Sequence, residues 1–290
     1  MKLQTIFRRR TLDPLWEYAT TGAIWRVLPS GNAHIAGEER DRNAKRTSFF
    51  VIDSVTGREL WHRDDFGEEW WIGIEVIAGE TMYLHKYAKP DMPEHRGIIA
   101  VDMKSGRTLW SDEDRSLLHA SSASVFVGNN TPGGREVFEL EGKTGRELRA
   151  WGADLSGVRA AVAASEPVAS TMPQLPEIRT GAGRSDDDPA LLPHLPPNTV
   201  PASVEFLRTD RFLLVSYHEV TGGDPDHPLY RNCLTMVDSH SGTALWRETL
   251  NDNVSAIAPI SFFVVDGILF FIREYRTLVA VRIDDRQEIA

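Results

Sequence analysis

Apolar and polar positions alternate in short runs along most of this chain, and the runs stop at Gly, Pro, Asn or Asp. Period-two alternation bounded by such residues reads as β-strands joined by turns. One phrase recurs where two runs meet: Val51-Ile52-Asp53-Ser54-Val55-Thr56-Gly57-Arg58-Glu59-Leu60-Trp61, Ala100-Val101-Asp102-Met103-Lys104-Ser105-Gly106-Arg107-Thr108-Leu109-Trp110, and Met236-Val237-Asp238-Ser239-His240-Ser241-Gly242-Thr243-Ala244-Leu245-Trp246. A worn copy reads Glu139-Leu140-Glu141-Gly142-Lys143-Thr144-Gly145-Arg146-Glu147-Leu148. Each copy reads as a hairpin: Asp bonds the turn amides, Gly takes a positive φ, and Trp fills the gap to an adjacent sheet.

Two further runs precede each phrase, so each unit holds four strands. The second unit is expected at 70–77, 81–87, 97–102 and 107–110, the first at 23–28, 32–37, 48–53 and 58–61, and the third at 116–120, 124–128, 136–141 and 146–151. Four-stranded units of 40 to 50 residues are the blades of a β-propeller, so the expected fold is all-β, one propeller domain over residues 1–290. The last unit shows runs at 260–265, 267–273 and 277–283 but lacks the Leu-Trp ending, while Leu15-Trp16 stands alone near the N-terminus. The N-terminal segment is therefore expected to supply the outer strand of the final blade and close the ring. Residues 152–199 hold seven prolines and read as a long inserted loop, because central strands exclude proline. Five blades result, with six as the alternative.

Composition narrows the function classes. The 290 residues are 41% apolar, enough for a sizeable core, and carry a formal charge of -10. That balance argues against a phosphate backbone as partner. No run approaches the length of a membrane span, and Arg8-Arg9-Arg10 follows no apolar core of a signal peptide. Cys233 is the single cysteine, which excludes an internal disulfide. The chain is read as cytoplasmic, with no nucleic-acid or membrane partner.

The Asp-x-x-(Thr/Ser)-Gly-x-x-Leu-Trp phrase resembles the blade motif of the quinoprotein, or PQQ-like, propeller repeats over nearly the whole chain. That superfamily includes quinone-dependent dehydrogenases and non-enzymatic scaffold propellers. The dehydrogenase reading implies export, a Ca²⁺ site and commonly an adjacent cysteine pair; this sequence has one cysteine and no signal peptide. The segment Trp70-Trp71-Ile72-Gly73-Ile74-Glu75, with Leu84-His85 and Lys89-Pro90-Asp91-Met92-Pro93-Glu94-His95, resembles a small uncharacterised bacterial family of such propellers, from which no catalytic residue carries over.

With the four strands of a blade lettered a to d in chain order, the b-to-c and d-to-a connections of a propeller share one face. Here that face carries 38–47, 62–69, 86–96, 221–231 and the 152–199 insertion, whereas the other face has tight turns. Binding is expected on the elaborated face. Two of its loops look alike: His85, Asp91 and His95, and His218, Asp224 and His227. Imidazole and carboxylate at loop spacing suit Zn²⁺ or another divalent ion, although long hairpin loops are ordinarily polar for solvation alone. Glu75 and Glu205 occupy matching positions on innermost strands and are candidates for acid–base or ligand contact, or for channel residues paired with arginine. His119 could join them or be hydrogen-bonded filler. Trp70 and Trp71 could form an aromatic platform for a sugar or cation, though alternate strand residues face opposite sides. No nucleophile elbow, phosphate loop or zinc-finger spacing occurs. Two functions follow: a non-enzymatic scaffold holding a protein partner through its loop face, with no cofactor, or a metal- or small-ligand-dependent enzyme around Glu75, His85, Asp91 and His95. A PQQ-type dehydrogenase is a third.

Overall fold

The computed structural model describes residues 12–31, 33–87, 94–165, 173–178 and 191–283. The repeated phrase forms the expected turn. Asp53 Oδ1 accepts from the amides of Val55 and Thr56 and from Thr56 Oγ1, and Gly57 follows at φ +69°. Asp102 and Asp238 repeat this toward Ser105 and Ser241, with Gly106 at φ +68° and Gly242 at φ +67°. In the worn copy Glu141 takes the hydroxyl of Thr144, and Gly145 sits at φ +68°. That left-handed backbone is what the phrase needs Gly for.

The chain divides into two compact units, Thr20–Met172 and Met1–Ala19 with Pro173–Ala290. Strand β1 (Trp16–Ala19) lies in the second. The first unit holds three antiparallel sheets in chain order. They are β2 (Ala23–Ser30), β3 (His34–Asp41), β4 (Arg46–Asp53) and β5 (Glu59–Arg63); β6 (Ile72–Ala78), β7 (Thr81–Tyr87), β8 (His95–Asp102) and β9 (Thr108–Asp112); and β10 (Ser116–Ala120), β11 (Ser124–Thr131), β12 (Gly134–Glu141) and β13 (Glu147–Gly152). Each phrase docks on the next. Trp61 Nε1 donates to the Met103 carbonyl at 2.8 Å, and Trp110 Nε1 to the Gly142 carbonyl at 2.9 Å. The apolar faces of adjacent sheets merge around Phe49, Val51, Ile72, Ile74 and Leu84, and around Tyr83, Ala100, Val125 and Leu140.

Part of the insertion, among its described residues, is regular structure. Helix α1 (Leu155–Ala164) is capped by Asp154, whose side chain accepts from Gly157 N, and it packs Val158 against Phe126, Val137 and Trp151. Every proline of 152–199 lies at or after Pro167, so counting them over the whole segment concealed a proline-free run with apolar residues at 158, 161 and 162.

In the second unit, β14 (Glu177–Ile178), β15 (Glu205–Arg208), β16 (Phe212–Asp224), β17 (His227–Asp238) and β18 (Ala244–Val254) form one sheet. The insertion thus adds a fifth strand, with Glu177 opposite Phe206. The last sheet is β19 (Phe262–Val265), β20 (Ile268–Arg273) and β21 (Thr277–Arg282), completed on its outer side by β1, with Trp16 opposite Ala280. Five successive antiparallel sheets, the fifth finished by the N-terminal strand, make this an all-β chain of five β-propeller blades. Among the described residues no helix is long and apolar enough to cross a membrane.

Two connections expected as loops are strand hairpins. β16 runs to Asp224 and β17 starts at His227, and β3 runs to Asp41 with β4 starting at Arg46. Polar residues hid both extensions: the tip of β16 is exposed and has no apolar face to show, and the end of β3 buries Glu38 and Glu39 rather than apolar residues.

Candidate functional site

Three strands of the second sheet bring three donor side chains to one place. Glu75 comes from β6, where the register slips between Ile74 and Val76; His85 comes from β7, opposite Gly73; and His95 opens β8, opposite Tyr87. The His95 Nδ1–H donates to Glu75 Oε2 at 2.7 Å, and His85 Nε2 stands 4.0 Å from the same oxygen. The two imidazoles stack, with centroids 3.6 Å apart and planes at 11°. Tyr87 meets both edge-on, at 5.0 and 5.2 Å, and Trp71 meets Tyr87 at 5.8 Å.

The floor of this cluster is tightly built. A Cβ on Gly73 would lie 2.9 Å from His85 Nε2 and 3.0 Å from Glu38 Oε2, so the absent side chain makes room for both groups. Glu38 accepts from the Ile74 amide at 3.0 Å and from Arg40 Nε at 2.6 Å. Arg40 in turn donates to the carbonyls of Trp70 and Ile72, and Arg26 Nη1 to that of Ile74 at 2.6 Å. Burial, and then His95 beside it, pushes the His85 imidazole down to about 3, so it stands neutral at pH 7.

One carboxylate and two imidazoles offer donor atoms within 4.8 Å of one another. Tetrahedral zinc, at about 2.0–2.2 Å from each donor, needs them about 3.4 Å apart. Parallel ring planes keep the two lone pairs from converging, so an ion has to turn one ring. His95 is the freer ring, its side chain 37% exposed against 8% for His85. Without an ion, Glu75 still orients His95, leaving Nε2 for proton transfer.

The remaining candidates are placed elsewhere or otherwise engaged. Asp91 lies outside the described residues. His218 sits inside the sheet opposite Asn232, accepting from the Ala258 amide at 3.3 Å, and burial pushes its imidazole down to about 4. Asp224 and His227 face each other at the exposed tip of the same hairpin, 3.4 Å apart and six residues along β16 from His218. At about 3.3 Å per residue that is roughly 20 Å, so these three do not converge.

Glu205 is not on the end strand of its sheet, because β14 pairs with β15 beyond it. It is buried and clamps backbone, accepting from the amides of Ile260 and of Ser261, the latter at 2.9 Å; burial raises its pKa. Glu75 and Glu205 thus have different surroundings and stand in different units. His119 bonds Ser165 Oγ at 3.3 Å. Trp70 and Trp71 form no open platform: Arg40 and Lys45 sit 5.1 and 4.9 Å from the Trp70 ring, and Trp71 is turned to Tyr87. The cysteine pair implied by the quinoprotein resemblance does not fit this chain, where Cys233 is buried and takes a hydrogen bond from Arg247. Sequence reasoning missed Arg26, Glu38, Arg40 and Gly73. The adjacent Glu38-Glu39 pair was the available signal, since two carboxylates in a strand cannot both face away from the core.

Residues 30–110, which contain Glu75, His85 and His95, match the model of a domain of unknown function, DUF4905. No curated protein matches the chain. Among solved structures it is similar to the β-propeller domain of the Trilobed protease from Pyrococcus furiosus, at 8% identity over 87% of this chain and 65% of that one, with a TM-score of 0.31. It is similar also to the Pyrococcus horikoshii acylaminoacyl peptidase, at 7% identity over 88% of this chain and 36% of that one, TM-score 0.30. An uncharacterized protein from Listeria monocytogenes EGD-e is similar at 8% identity over 93% and 97% of the two chains, TM-score 0.34. The chain spans less than two thirds of the length of either Pyrococcus structure.

Proposed function

We propose that this chain is a propeller binding module that holds a divalent transition-metal ion of the zinc class at Glu75, His85 and His95. One observation carries the reading: three adjacent strands of one sheet bring donor atoms of a carboxylate and two imidazoles within 4.8 Å of one another, with the deepest imidazole neutral. Proton transfer by the Glu75–His95 pair has no use for His85 there, whereas a borderline ion does. Ion binding needs neutral imidazoles and an ionised carboxylate and is therefore pH-dependent.

The ion would present a site at the loop end of the second blade to a protein partner or a small ligand, which joins the two functions expected from the sequence. A cytoplasmic location and kinship to the PQQ-like repeats, as a scaffold without the quinone, belong to the same proposal. Their support is the acidic charge, the lone cysteine and the repeated phrase. Fractionation of native cells tests the location.

Elemental analysis and zinc titration calorimetry test the site. The expected result is one ion per chain, with affinity falling at least tenfold, about 1.4 kcal/mol, in each of Glu75→Gln, His85→Ala and His95→Ala, while the circular dichroism spectrum is kept. Zinc that fails to bind stoichiometrically, or that binds all three variants as well as the parent, refutes it.

A further inference from the structure

Resting on that metal reading, we propose that a small oxyanion, a carboxylate or phosphate group, completes the coordination of the ion and binds cooperatively with it. The argument is one of charge. Around the three donors stand two guanidinium groups and one further carboxylate, those of Arg26, Arg40 and Glu38. Both guanidiniums bond carbonyls of the β6 strand on either side of Gly73, against which His85 and Glu38 pack.

A coordinated imidazole is neutral, so Glu75 and Glu38 offset Arg26 and Arg40, and the groups around the ion carry no net charge of their own. A divalent ion leaves two positive charges beside the buried His85 and Glu38. Uncompensated charge in such surroundings is costly, and an anionic ligand in the open coordination position removes it. Arg26 is the group placed to meet that ligand. It is exposed, its hydrogen bond uses Nη1, and no carboxylate among the described residues pairs with it, whereas Arg40 is committed to Glu38 and two carbonyls. The half-exposed His95 marks the open side, with Tyr87 as its wall.

Co²⁺, whose visible bands report its coordination, is the probe. The full-length protein is titrated with Co²⁺ in chloride alone, in acetate and in phosphate, and the parent is compared with Arg26→Gln and Arg26→Lys. Coupled binding predicts a Co²⁺ affinity about tenfold higher in acetate or phosphate than in chloride, with a shifted spectrum and the same factor when the anion is titrated into the Co²⁺-loaded protein. R26Q is expected to lose at least a threefold share of that factor and R26K to keep it. A response to acetate alone assigns a carboxylate ligand, and a response to phosphate alone a phosphate group. One-to-one Co²⁺ binding with the same affinity and spectrum in all three salts overturns this inference and leaves the metal site standing. Absence of stoichiometric Co²⁺ overturns the metal reading beneath it.

Discussion

Glu39, next to the site residue Glu38 on β3, fastens the first blade together. It accepts from the Gly22 amide, from Thr21 Oγ1 at 2.9 Å, and from His62 at 3.1 Å. Burial on its own would raise its pKa, but the hydrogen bonds from His62, Gly22 and Thr21 outweigh burial and bring it down to about 2 from 4.5. Its stabilisation is therefore fully present above pH 4.5 and is lost as pH falls toward about 2. His62 runs the other way: its bond to Glu39 raises its pKa above 6.5, so its contribution is present below that value and is lost as pH rises through the folded pKa. Glu39→Gln is expected to cost about 1–3 kcal/mol in urea denaturation near pH 6 and to flatten the fall on both sides. An unchanged pH profile would refute this account. Neither role was legible in the sequence, because the partners of Glu39 lie 17 to 23 residues away along the chain and meet it through the sheet.

At the scale of the element, the repeated phrase turns out to act between blades as well as within them. A Cβ on Gly106 would come 2.7 Å from the Trp61 ring, and one on Gly145 equally close to Trp110, while Gly242 has nothing within 4 Å. All three share a left-handed backbone near φ +68°. Gly242→Ala is thus expected to carry the backbone penalty alone, about 1 kcal/mol, and Gly106→Ala and Gly145→Ala a further 1–3 kcal/mol of overpacking. Thermal denaturation of the three variants checks the ordering. The hairpin turns themselves were readable because Asp, Ser or Thr and Gly interact within four residues. The likeness of the two His-Asp-His sets was misleading for the converse reason. Similar spacing, six and four residues against six and three, becomes a different geometry when His85 and His95 meet on neighbouring strands and the other set runs along an extended hairpin from His218 to its tip.

For the whole molecule, the decisive contact is between its two ends: β1 pairs with β21 over four residues and buries Trp16 against Phe270. Deleting residues 1–19 strips the outer strand from the last sheet and bares the edge of β21. Light scattering after size exclusion is expected to show aggregation at concentrations where the full chain stays dispersed; a dispersed, folded deletion variant would contradict it. The four-stranded period, the turn chemistry and this terminal pairing follow from local patterns, since alternation and turn residues act over a few positions and an unpaired final blade demands a partner strand. Whether Glu75, His85 and His95 meet was beyond such patterns. Their meeting depends on a one-residue slip in β6, on the missing side chain of Gly73 and on guanidiniums from another blade, and sequence spacing encodes none of these because they arise when sheets pack.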